Sequence, residues 1–225
     1  MGVGAVVTRH DFLATLHTQL QPRGYLEIGV QHGYSLRLAS CPAVGVDPDP
    51  KVVVPLGPHA TVVPSTSDAY FTTVNATQLP FAALDLAFID GMHLYEYALR
   101  DFIGVERLAH AGAVVVFDDV LPRNQVEAAR VQCPGDWTGD VWRIEPVLRA
   151  WRPDLHITLV DTDPTGVLVV YGLEPASTVL ADEYDEILRH WPLADVPVPP
   201  DVLHRYHAVP PEMALAEIED WRTTA

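Results

Sequence analysis

Four side chains near the middle of the sequence have types and spacing that could do chemistry together: Asp90, His93, Asp118 and Asp119. Asp90 closes an apolar run at residues 84–89, and Asp118 and Asp119 close a second at residues 113–117. His93 follows Asp90 by three positions. Carboxylates gathered in one place repel each other unless something positive sits among them. Oxygen donors of this kind suit Mg2+, Ca2+ or Mn2+ better than zinc. An imidazole has an unperturbed pKa near 6.5, so His93 would bring to these acids a group that changes charge near pH 7. The plainer alternative stays open. Asp118 and Asp119 could be a polar strand end, one of them capping a turn, and His93 an ordinary loop residue among ten histidines.

A βαβ unit would bring these residues together. Between the two apolar runs, Tyr95, Leu99, Phe102, Ile103, Val105 and Leu108 recur at helical spacing. Parallel strands need a crossover of this length, and strands covered on both faces read as continuous apolar runs. In open α/β sheets ligands bind beyond the carboxyl ends of the strands, which is where the acids fall.

Around this unit the chain reads as an α/β fold. A short helix is expected at residues 11–20 with Asp11 as its cap, a strand at 25–30, a tight turn at 31–33 and a helix starting at 34–39. A strand at 43–46 ends in Asp47, and the proline-broken link to His59 is too short for a long helix. A strand at 61–63 leads to a short helix with Ser67 as candidate cap. Beyond the central unit, residues 125–131 and 141–151 read as helix, and 156–160 with 166–171 as an antiparallel hairpin. Residues 174–225 change character: a helix at 178–190, a stiff proline-dense link, and a last amphipathic helix around 211–221. This gives a domain over residues 1–173 and an extension over 174–225 that wraps the domain or a second subunit.

Composition narrows the partners. The chain has 225 residues, 48% hydrophobic, and a formal net charge of −16. Such a surface repels phosphate backbones and anionic membranes, so no nucleic acid and no membrane partner is expected. No apolar run reaches the ~20 residues that span a bilayer. The start lacks the marks of a signal peptide and of myristoylation, which makes the cytoplasm the expected location. Cys41 and Cys133 are too few for a disulfide framework.

Glu27, Gly29 and Gly33 sit where the first strand turns, and glycines there let a ligand approach the backbone. The pattern is not the G-x-G-x-x-G dinucleotide fingerprint, and Glu27 would sit badly beside a pyrophosphate. It fits a ligand with a carboxylate and a cationic part. Asp47, at the end of the second strand, could accept from both hydroxyls of a ribose, or simply cap a turn.

Taken together, EIGVQHGYS, VDPDP, STSD, FIDGMH and FDDV resemble the class I S-adenosylmethionine-dependent methyltransferases. Within them the pattern is similar to the metal-dependent small-molecule O-methyltransferases of the catechol and macrocin type, over roughly residues 24–173. The resemblance implies a doubly wound, mostly parallel seven-stranded Rossmann-like sheet with an antiparallel C-terminal hairpin and a helical tail. It implies S-adenosylmethionine as cofactor, held by Glu27, Gly29, Gly33, Ser35, Asp47, Ser67, Asp68, Asp90 and Met92. Ser35 would meet the methionine carboxylate, Asp47 the ribose, Ser67 and Asp68 the adenine, and Met92 the adenine face. Asp90, Asp118 and Asp119 would hold Mg2+ or another divalent cation, and His93 would be the catalytic base. Asp119 stands where the catechol enzyme has Asn, and His93 where it has Lys.

The activity implied is methylation of a hydroxyl on a small-molecule acceptor, a natural-product sugar or phenol, by a homodimer. A nucleotide-cofactor oxidoreductase, a metal-dependent hydrolase and a non-catalytic cofactor-binding protein are the rival readings. Arg123, Asn124, Trp142 and Arg143 could line the acceptor mouth, though surface duty is the simpler expectation. Trp191, Tyr206 and Trp221 of the tail could cover the site or join subunits.

Overall fold

A computed structural model describes residues 6–224. The first five residues, on which part of the reading of the start rested, and Ala225 lie outside the described residues. Seven strands form one sheet: β1 (Tyr25–Ile28), β2 (Ala43–Asp47), β3 (Ala60–Pro64), β4 (Leu86–Ile89), β5 (Val114–Asp118), β6 (His156–Val160) and β7 (Val167–Tyr171). Their order is β3-β2-β1-β4-β5-β7-β6. The first five run parallel; β7 is antiparallel to both β5 and β6. This is the Rossmann-like sheet with a reversed hairpin that the sequence implied.

Alternation along the strands divides the core in two. Leu26, Ile28, Ala87, Ile89, Val115 and Phe117 face one layer. It is formed by α2 (Ser67–Thr73), α3 (Tyr95–Leu108), α4 (Ile144–Trp151), α5 (Val179–Asp182) and α6 (Tyr184–His190). Tyr25, Leu86, Phe88, Val114 and Val116 face the other, where α1 (Arg9–Leu20) and α8 (Pro211–Thr224) pack. The central strands β4, β5 and β7 are almost wholly apolar because both of their faces are covered.

Several local expectations change. The first helix starts earlier, with Thr8 as N-cap and Asp11 closing a capping box instead of serving as the cap. The helix expected from residue 34 is a single 3-10 turn, Leu36–Leu38. Only a few residues separate Gly33 from Pro42, and the buried residues of α1 share the core with Leu36 and cover that face instead. Thr66, not Ser67, caps α2.

Residues 125–131 form turns, not a helix. The Asn124 side chain accepts from the backbone N–H of Val126 and of Glu127, and Gln125 is paired through both ends of its amide with the backbone of Val198. These bonds offer the backbone an alternative to the helix ladder. The expected helix at 178–190 is two helices meeting at Glu183.

The tail is tied to the domain along its length. Arg143, fully buried, donates to the carbonyls of Pro192 and Ala194 at 2.8 and 2.6 Å. Another short helix, α7 (Pro200–Leu203), follows the proline link. Val209 then bridges to Val160 at the sheet edge, and Ala214 and Ile218 of α8 enter the core. Among the described residues no helix is long and apolar enough to cross a membrane.

Candidate active site

The turn after β1 and the loop after β4 are pressed together at the carboxyl edge. Gly29 has φ of +88°, and a Cβ there would fall 1.9 Å from the carbonyl oxygen of Asp90. The Asp90 N–H donates to Ile28 O at 2.8 Å. No residue with a side chain fits at position 29 without parting the two segments.

On the β1 side the polar groups satisfy one another. Glu27 is fully buried and accepts from Tyr25 Oη at 2.7 Å and Ser35 Oγ at 2.8 Å. Burial pushes its carboxyl up to about 8, although both hydroxyls oppose the shift. Ser35, expected at a cofactor carboxylate, thus spends its hydroxyl on Glu27, and no long helix begins there to offer an amino end. Asp47 Oδ2 accepts from the N–H groups of Val30 and Gln31, at 2.9 and 2.8 Å, and Oδ1 from that of Asp49 at 2.8 Å. This carboxylate pins the turn and still has lone pairs for a ribose. Asp68 is paired with Arg100 through both oxygens, at 2.8 and 2.9 Å. Ser67 is half-buried at the start of α2, and Met92 is exposed beyond Asp90.

On the other side lies an acid–imidazole cluster. Asp90, His93 and Asp119 offer ligand atoms that all fall within 4.8 Å of one another. His93 Nε2 stands 3.2 Å from Asp90 Oδ1, and Nδ1 stands 3.0 Å from Asp119 Oδ2 and 2.7 Å from Trp137 O. A carbonyl can only accept, so Nδ1 carries the proton donated to Trp137 and Nε2 is the nitrogen that can gain or lose one. Burial disfavours charge on this ring, but Asp90 and Asp119 outweigh it and push His93 up to about 10. The ring as it stands is an imidazolium at neutral pH, not the neutral base expected from its unperturbed value. Asp119 also accepts from Thr165 Oγ1 at 2.6 Å. Burial, then Asp90, raises its own pKa.

Asp118 lies outside that cluster. It ends β5 on the face of Val114 and Val116, which is covered by α1. There Arg9 Nε approaches its Oδ2 to 3.0 Å. Asp119, with φ of +62°, turns back toward the rim. Neither Asp118 side-chain oxygen has a partner at good hydrogen-bonding geometry, and burial followed by the charges of Asp119 and Asp90 raises its pKa well above the usual carboxylate range, against the weaker pull of Arg9 and of the adjacent Asp119 N–H.

Two contributors escaped the sequence reading. Arg9 is the first residue of a helix that was expected to begin only at residue 11. Trp137 stacks its indole on His93, with centroids 5.3 Å apart and planes 11° off parallel. Its loop is seated by Gly139, where a Cβ would fall 1.7 Å from His93 O. Arg123 holds this loop by pairing with Glu127 and Asp136. Trp142 and Arg143, expected on the surface, are buried instead. A small hollow of about 10 Å3, room for one water, is lined by Asp90, His93, Asp101, Asp118 and Asp119 among others.

Residues 26–120 match the model of a methyltransferase domain. No curated protein matches the sequence. Among solved structures, cofactor-bound Rv0187 from MTB is similar at 22% identity and a TM-score of 0.58, over 75% of this chain and 82% of that one. The O-methyltransferase TomG from Streptomyces achromogenes, involved in tomaymycin synthesis and solved with SAM, gives 21% and 0.56 over 72% and 78%. An O-methyltransferase from Bacillus cereus in complex with SAH gives 16% and 0.52 over 73% and 84%.

Proposed function

We propose that this chain is a class I S-adenosylmethionine-dependent methyltransferase, a reading its domain match and fold support, and that it methylates a hydroxyl of a small-molecule acceptor at the Asp90–His93–Asp119 rim, aided by a divalent cation. The observation that carries the reading is the contact between Gly29 and the backbone of Asp90. It joins the turn that resembles a cofactor site to the only cluster of potential ligand side chains found among the described residues.

The donor set fits a cation such as Mg2+. Asp90 and Asp119 offer oxygens, and the buried Asp118 has two oxygens without hydrogen bonds, which leaves His93 Nε2 free for the proton. When bound, such an ion would lower the pKa of a coordinated hydroxyl and offset the carboxylates. The chain's own residues supply the rest. Asp90 and Asp119 hold the proton on His93; were their charge taken up elsewhere, Nε2 would be the atom able to accept a proton. Trp137 and its carbonyl keep the ring in plane and in one tautomer. Transfer from a sulfonium demands alignment above all, and such positioning is worth ~7–11 kcal/mol. Glu27, Gly29, Gly33 and Asp47 would fix the donor, with Met92 against the base. The part of TomG in tomaymycin synthesis supports a natural-product acceptor.

The test is direct. S-adenosylmethionine should raise the melting temperature where NAD does not. Methyl transfer to a panel of sugar and phenol hydroxyls should stop with chelator and return with Mg2+. Activity indifferent to chelator would remove the cation from the scheme.

A further inference from the structure

We propose that Arg9 is a tethered counter-ion that shields the acid rim, so that a divalent cation gains full access only when the guanidinium leaves Asp118. The inference rests on reading Asp90, His93 and Asp119 as a cation site. It starts from Asp118, which is 2% exposed and accepts no hydrogen bond at either oxygen. A buried carboxylate in that state is costly unless a charge faces it. Arg9, at 3.0 Å, is the cation paired with it among the described residues. The guanidinium also lies in the field of Asp90 and Asp119, and Asp136 of the Trp137 loop adds to it. One protein cation is thus paired with Asp118 within the field of the other rim acids, where an incoming ion would feel its repulsion.

Arg9 is also built to move. Its backbone is fixed: Thr8 and Asp11 cap the helix, Thr8 bridges to Asp163, and the Arg9 N–H donates to Asp163 O at 3.2 Å. The hold on α1 itself comes from Phe12, Leu13, Leu16 and Leu20 in the core. The Arg9 side chain lies at the margin, 29% exposed. It can swing to solvent by side-chain rotation while α1 stays in place, leaving Asp118 to the ion.

Mn2+ binding to the whole protein, read by the electron paramagnetic resonance of the free ion, tests this without reference to activity. Arg9→Gln and Arg9→Ala should each bind Mn2+ about ten-fold or more tightly than the native chain. Arg9→Lys, which keeps the charge, should stay near native affinity. Circular dichroism identifies which neutral variant is folded, and either one decides the matter. Native-like or weaker Mn2+ binding by a folded neutral variant overturns the shielding while leaving the cation site standing. Equal tightening in Arg9→Lys overturns it too. No Mn2+ uptake by any of the proteins overturns the shielding together with the cation site.

Discussion

The two sides of the sheet's carboxyl edge are built on opposite terms. The turn after β1 is closed on itself: Glu27 has two hydroxyl donors, and Asp47 has three backbone N–H donors. The rim after β4 and β5 is not. Asp118 lacks hydrogen bonds, and Asp90, His93 and Asp119 crowd their charged atoms within 4.8 Å of one another. Left-handed φ occurs on both sides, at Gln31 as at His93 and Asp119, and such residues persist only where the surroundings hold them. The contrast separates a rigid cradle from a charged edge whose balance a bound group can change. Gly29 is the seam between them, and it offers the hardest test. Gly29→Ala places a methyl in the Asp90 carbonyl and strains the backbone as well. We expect a loss above ~4 kcal/mol, a fall in melting temperature of roughly 10 °C or more, and no cofactor binding. A variant that melts like the native protein would show that the two regions are not in contact.

His93 probes the charged side next. His93→Gln should lower turnover by ~10²–10⁴-fold, the usual worth of a general base, while cofactor affinity stays within about three-fold. Equal losses in both would end the assignment. The same substitution has a pH signature. A histidine raised from 6.5 to about 10 by folding stabilises the fold fully below its unfolded value, and that support is lost as pH rises through the folded value. The variant should therefore melt below the native protein at pH 6, with the gap closing toward pH 10.

Glu27 probes the cradle with the opposite sign. Its carboxyl is raised from 4.5 to about 8, so folding disfavours its charged form. The cost is absent below pH 4.5, grows as pH rises, and is complete above about 8. At pH 7 it is of the order of 3 kcal/mol at ~1.4 kcal/mol per unit. Glu27→Gln removes the ionisation and keeps a side chain able to pair with both hydroxyls. Between pH 5 and 9 the native melting temperature should fall relative to that of Glu27→Gln. Parallel curves would mean that Glu27 is charged in the fold.

What could be read in advance follows the same division. The strands of the sheet declared themselves because both faces are covered and their apolar runs are continuous. The acids at their ends could then be placed by topology alone. The turn after Gly33 misled because Leu36, Leu38 and Ala39 have helical spacing but too little chain before Pro42 to use it. Thr8 and Asp11 have the spacing of a capping box, in which the acid is the third helical residue and not the cap. Arg9 carried no local mark. Its partner is far along the chain, and only strand alternation, which sends Asp118 toward α1 and leaves Asp119 to the rim, brings them together. Trp137 was hidden for a like reason, lying in a loop shaped by tertiary bonds to Glu127 and His93.

The smallest effect is the one that best sharpens the boundary of the cradle. Asp68 was expected at the adenine, yet both of its oxygens are held by Arg100, an exposed pair that also joins Tyr184. Pairs of this kind contribute ~0–1 kcal/mol. Asp68→Ala should therefore cost under about 1 kcal/mol in denaturant melts and leave S-adenosylmethionine affinity within about two-fold. If it instead weakens the cofactor ten-fold with stability unchanged, Arg100 must release Asp68 on binding. The cradle would then extend to α2, and the cofactor side of the edge would share the charge exchange assigned here to the acid rim alone.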